Sequence, residues 1–191
     1  MPSFLDLPPE IRRMIYLHCM NPNEYKSAYD IYRHNHIEEG NTEYMKRGPL
    51  CIEPRIYITR TTPSILLLNK QITAEALEVL YRIPVDLYGT PGSHCSMRQM
   101  DIAEFICEQF LQRIQYAALL LGNPHKNFVL QLLDIWGADN RLKRLDVYFP
   151  KGALGSYRHW DIVESRLRTF SLMVPVHFHE VPEPSEAPSG Q

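Results

Sequence analysis

From Val85 onward the chain repeats itself on a scale of about 30 residues, the length of a strand plus a crossover helix. Short apolar or alternating runs centre near Leu87, Ala117, Asp146 and Phe178. Each of the last three is preceded by apolar residues at helical spacing. Ile102, Phe105, Ile106 and Phe110 precede the run 114–121, and Phe128, Val129, Leu132, Leu133 and Trp136 precede the run 142–149. Ile162, Val163, Leu167 and Phe170 precede the run 174–179. Neighbouring parallel strands need a connection of this kind, and right-handed crossovers put all the helices on one side of the sheet. The spacing therefore predicts an α/β fold, with α+β as the variant. Helices at the amino terminus are followed by about three helix-strand units in a short parallel sheet. A solenoid and a small open sheet both satisfy the pattern.

The totals fit one such unit. The chain has 191 residues, 45% hydrophobic and 22% charged, which supplies a sizeable core and argues against disorder over most of its length. Acidic and basic residues are interspersed with a net charge of -2, so no field gathers nucleic acid or anionic membrane, and neither is expected as a partner. No basic leader precedes an apolar run, and no run approaches the ~18 apolar residues of a membrane span, so an intracellular location, cytoplasmic or nuclear, is expected. Cys19, Cys51, Cys95 and Cys107 lack the spacing of a disulfide framework or zinc knuckle and read as free thiols.

Upstream of the repeats, two helices are marked. Pro8 and Pro9 fit a first turn, where a missing N–H costs nothing, and Glu10 complements the helix dipole, so a helix begins near Leu7 and stops before Asn21-Pro22-Asn23. Ile11, Met14, Ile15 and His18 share one of its faces, while Tyr16, Leu17 and Met20 lie opposite. One face can pack inward and the other is left for a partner. A second helix is predicted from Thr62-Pro63 to Tyr81 or Arg82, with the stripe Ile65, Leu68, Ile72, Ala76, Val79 and Leu80, widened by Leu66, Leu77 and Tyr81. Asn69 falls at the centre of that stripe, where its amide must find partners, and is expected to tie down backbone of the insertion or the first helix. Residues 21–61 read as a loop-rich insertion with a strand-like run at 55–59, residues 150–157 as a loop, and residues 182–191 as a Pro/Ser/Glu tail that cannot bury enough to order itself. The expected organisation is a helical region over 1–84, repeats over 85–181 and the tail.

These two helices carry a resemblance. Leu5-Asp6-Leu7-Pro8-Pro9-Glu10-Ile11-Arg12-Arg13-Met14-Ile15-Tyr16 resembles the opening of the F-box in the form common among filamentous fungi. The run from Leu66 to Tyr81 resembles the downstream helix of the same F-box-like proteins. The resemblance implies a helical element, here interrupted by an insertion, that docks onto the adaptor subunit of a cullin-based ubiquitin ligase, and leucine-rich-repeat-like units that select a protein substrate. Carried over by position, Leu7, Pro8, Ile11 and Ile15 are the adaptor-facing residues.

Catalytic signatures are sparse. His34 with His36 and His177 with His179 point the same way along a strand and can chelate, but spacing names no third or fourth ligand. His18-Cys19 and His94-Cys95 are adjacent only in sequence, whereas nucleophilic pairs are assembled in space. No glycine-rich phosphate loop, nucleophile elbow or His-Glu-x-x-His helix occurs. Trp136 reads as core and Trp160 as core or recognition anchor. The expectation is a non-enzymatic interaction module with no cofactor and no metal. A free-standing structural or interaction protein without an adaptor, and an enzyme with an unrecognised His/Cys site, stand as the alternatives.

Overall fold

The alternating runs of the repeat region become four parallel strands in the computed structural model, which describes residues 3–23, 63–88, 106–121, 126–151 and 160–181. The strands β1 (Val85–Tyr88), β2 (Tyr116–Leu120), β3 (Arg144–Pro150) and β4 (Val176–Val181) lie side by side in chain order. The fold is α/β, with helical elements first and a singly wound sheet after them.

Strand alternation sorts side chains onto two faces. In register, Val85, Ala117, Leu145 and Val176 form one row, and Leu87, Leu119, Val147 and Phe178 the next. Both rows belong to the main core. The helices α3 (Glu108–Arg113), α4 (Lys126–Ala138) and α5 (Trp160–Phe170) cover this face, each packed on its neighbour in turn. Helix α4 buries Phe128, Val129, Leu132, Leu133, Ile135 and Trp136, so it is apolar around most of its circumference, as a helix flanked on both sides must be. The Trp136 indole lies wholly inside, stacks on Phe170 and donates from Nε1 to the Leu111 carbonyl at 3.0 Å. Trp160 is core as well, packed on Phe149 with its Nε1 donating to Glu164 at 3.1 Å.

The opposite face carries Asp86, Ala118, Asp146 and His177 in one row and Leu120, Tyr148 and His179 in the next, half-buried or exposed. Its polar residues find each other across strands. Asp146 accepts from Arg144 and lies 2.7 Å from His179 Nε2, and the His179 ring stacks on Tyr148 at 4.7 Å.

A second, smaller core joins the helices upstream. Helix α1 (Pro9–Cys19) and helix α2 (Lys70–Leu80) bring together Tyr16, Met20, Ile72, Ala76 and Leu80, with Phe4, Leu5, Ile65, Leu66, Leu77 and Val79 around them. Phe110 touches both cores and meets Tyr81 ring to ring, while the Gln115 N–H donates to the Tyr81 carbonyl at 2.8 Å. Asn23 fastens the end of the first helical segment to β1. Its Oδ1 accepts from the Asp86 N–H at 2.9 Å, and its Nδ2 donates to the Pro84 carbonyl at 3.3 Å.

Two expectations are corrected. The helix predicted from Thr62 to Tyr81 is two pieces: a 3-10 turn over Ser64–Leu67, then α2 from Lys70. Asn69 is the break between them. Its backbone is extended and its side chain accepts from the Ile72 N–H at 2.9 Å, so it caps its own helix, and among the described residues no hydrogen bond joins it to α1. With the period reset there, Leu68 leaves the stripe and is exposed. The loop expected from Pro150 starts later, because Pro150 pairs with Val181 in the sheet and the Lys151 N–H donates to the Val181 carbonyl. The strand-like run at 55–59, His34 and His36, Cys51 and Cys95, Ile102 and Phe105, the rest of the 150–157 loop and the tail lie outside the described residues.

Candidate functional site

The orientation of α1 is set by one buried ion. Ser3 and Asp6 cap a short 3-10 turn over Phe4–Asp6 reciprocally, and the chain then extends through Leu7 and Pro8 into the helix. That entry points the carbonyls of Leu5 and Leu7 toward the Arg12 side chain, which donates to both from Nη1, at 3.1 and 2.7 Å. Its remaining donors form a fork onto Glu75 of α2, Nε to Oε2 at 2.9 Å and Nη2 to Oε1 at 3.0 Å. The Tyr16 hydroxyl donates to Glu75 Oε2 at 2.9 Å, and Gln71, one helical turn before Glu75, donates to Oε1 at 3.1 Å. Arg12 is only 8% exposed and Tyr16 1%.

The electrostatics follow from these bonds. Donation from Arg12, then from Gln71 and Tyr16, holds the Glu75 carboxyl down to about 2 against a smaller opposing effect of burial. The carboxylate in turn raises Arg12. Burial, and then hydrogen bonding and proximity to Glu75, raise the Tyr16 phenol. On the open sheet face, burial of Asp146 is outweighed by its bonds from Arg144 and His179, leaving it lowered.

With Arg12, Tyr16 and Met20 turned inward, the other face of α1 turns out. Of the four residues matched to the F-box opening, Pro8 and Ile11 are exposed, and Leu7 and Ile15 are half-buried. Ile11 and Ile15 lie one helical turn apart on α1, and Leu7 and Pro8 stand at its entrance. Ile11 is 43% exposed and Met14, beside it on the same face, 56%. The sequence left open which face packs inward; the inward one carries Tyr16 and Met20, while Leu17, placed with them by periodicity, is exposed. Leu67 and Leu68, at the end of the 3-10 turn, are also exposed.

Arg12 and Glu75 were not singled out from sequence, although the signal was there in outline. Arg12 and Tyr16 are four residues apart on α1, with Met20 four further on at its C-cap, and Gln71 and Glu75 are four apart on α2. His177 and His179 do share a strand face, but His179 is already engaged by Asp146, and among the described residues no three His, Cys, Asp or Glu side chains converge as metal ligands. Cys19 and Cys107 are exposed free thiols. No described helix is long and apolar enough to cross a membrane. No family profile, no curated protein and no solved structure matches the chain.

Proposed function

We propose that the chain is a non-enzymatic protein-interaction module whose first helix docks its outward apolar face on the adaptor subunit of a cullin-based ubiquitin ligase, leaving the helix-strand repeats to engage a protein substrate. The observation that carries this reading is the split character of α1. One face is pinned to α2 through Arg12, Tyr16 and Glu75, and the other presents Ile11 and Met14 to solvent with Pro8 beside them. An apolar helix face on a rigid mount is the geometry of helix-in-groove recognition, in which residues at i, i+3 and i+4 anchor the contact. Covering those side chains gains about 25 cal/mol per Å² of apolar area, and the mount keeps the ordering cost low.

Size-exclusion chromatography of the full chain with the purified adaptor tests this. Co-elution is expected, with loss of co-elution for Ile11→Asp. Because Ile11 is exposed and belongs to neither core, that variant is expected to keep the melting temperature of the parent within about 2 °C. Failure of the parent chain to co-elute overturns the reading.

A second reading has its own observation: the helical region is tied to the sheet through Asn23, Gln115 and Phe110. In that reading the helices are a structural cap on the repeats of a free-standing interaction protein. It predicts no adaptor binding, and destabilisation of β1 by Asn23→Ala.

A further inference from the structure

Helix α5 ends at Phe170, and the chain turns through Ser171, Leu172 and Met173 before Pro175 leads into β4. All three turn residues are exposed, Leu172 by 85%. The Ser171 N–H donates to the Leu167 carbonyl and the Met173 N–H to the Phe170 carbonyl, both at 2.9 Å. The Ser171 hydroxyl donates to the Arg168 carbonyl at 2.6 Å, a local surface bond that water replaces at little cost. Arginine stands five and three residues before this serine, as Arg166 and Arg168, and an apolar residue, Leu172, directly after it. No other serine or threonine of the chain has arginine at both positions. Arg166 is exposed, and no hydrogen bond or ion pair engages it among the described residues. Arg168 pairs with Glu164 at 2.6 Å and lies 5.8 Å from the Phe178 ring, but the pair is exposed and of the kind that contributes little. Both guanidinium groups are therefore available beside the hydroxyl.

We propose that Ser171 is a phosphorylation site for a serine/threonine kinase whose substrate cleft is acidic. Two guanidinium groups at fixed spacing before a hydroxyl form a charge pattern that carboxylates of such a cleft read, and an apolar pocket beside the reacting atoms takes Leu172. ATP is the co-reactant. The Ser171 Oγ bonds to the γ-phosphorus, the bond from that phosphorus to the β–γ bridging oxygen breaks, ADP leaves with the electron pair, and the hydroxyl proton passes to the catalytic aspartate of the kinase. Thr169 is the poorer acceptor. It has Arg166 three residues before it but Glu164 at five, its hydroxyl donates to the Ser165 carbonyl within the helix, and the buried Phe170 follows it.

Recognition asks one thing of the fold. Kinase clefts take their substrates extended, so the last turn of α5 opens and withdraws Leu167 and Phe170 from the core. Opening at the end of an element is the cheapest local unfolding a fold offers, and its cost appears as slower transfer to the folded chain than to an unfolded peptide. The corner belongs to the β4 end of the sheet and the helical region to the β1 end, so this inference does not depend on the adaptor reading.

The test incubates the full chain with Mg²⁺, ATP and an arginine-directed serine/threonine kinase and locates phosphate by peptide mass spectrometry, with a synthetic peptide of residues 163–174 as the unfolded reference. One phosphate is expected, on Ser171, and Ser171→Ala is expected to abolish it. Arg166→Ala is expected to lower kcat/KM at least tenfold in chain and peptide alike, and the peptide measurement holds even if the variant chain misfolds. An acid-directed kinase is expected to leave Ser171 unmodified. Labelling of the peptide but not of the chain overturns the proposal, by showing the turn closed to the kinase. Absence of labelling in both overturns it too, as do phosphate on Thr169 in place of Ser171, equal labelling of Ser171 by the acid-directed kinase, and an Arg166→Ala variant labelled as fast as the parent.

Discussion

At the scale of single residues, Arg12 decides what α1 can do. An arginine in an amphipathic helix ordinarily marks the solvent side, and here it marks the core side because two carbonyls and a carboxylate meet its donors. This is why the sequence reveals that α1 has two usable faces and not which one is spent. Periodicity groups Ile11, Met14 and Ile15, but the partners of Arg12 lie in α2 and in the turn before α1. Glu75→Gln keeps the shape of the site and removes the charge, leaving Arg12 buried without its counter-ion. We expect the melting temperature at pH 7 to fall by about 5 °C or more. The pH dependence has a definite sign. Glu75 is depressed to about 2 in the folded chain against an ordinary 4.5, so its stabilising effect is complete above pH 4.5 and lost as pH falls toward 2. The gap between parent and Glu75→Gln is expected to be constant from pH 5 to 7 and to close between pH 4.5 and 2, read from thermal melts across that range. A gap that persists at pH 2 would place the effect elsewhere.

At the scale of elements, the strands and the helices over them were legible because burial imposes a simple period on each. Leu145, Val147 and Phe149 alternate into the core, and Phe128, Val129, Leu132, Leu133 and Trp136 line successive turns of α4. What the period conceals is a reset. Leu67 and Leu68 continue the apolar spacing into α2, so the chain reads as one helix from Pro63, yet Asn69 terminates one turn and caps the next. The Asn-x-x-Ile spacing that allows the cap was present, masked by the stronger Thr-Pro start just upstream. Asn69→Ala removes an acceptor for the Ile72 N–H and is expected to cost about 1 kcal/mol, a fall in melting temperature of roughly 2–4 °C, with Asn69→Asp close to the parent. An unchanged melt for Asn69→Ala would restore the uninterrupted helix. The pairing of Asp146 with His179 was illegible for a different reason: it depends on the register of β3 against β4, which local sequence does not set.

At the scale of the whole molecule, the fold is a sheet wound in one direction with its helices on one side, preceded by two helices that close the β1 end. The repeat length carried this topology, since each strand lies beside its predecessor and each crossover returns over the same face. The proposed function rests on the resemblance of α1 and α2 to an F-box pair, and its physical content is the outward face of α1. Oxidative footprinting of the methionines by mass spectrometry, with and without the adaptor, tests that content most directly, because Met14 is exposed on the proposed docking face while Met20 is buried in the same segment and serves as the internal control. The account predicts rapid oxidation of Met14 and slow oxidation of Met20 in the free chain, with the adaptor slowing Met14 severalfold. Oxidation of Met14 at the same rate with and without adaptor, or a Met14 as unreactive as Met20 in the free chain, would contradict it.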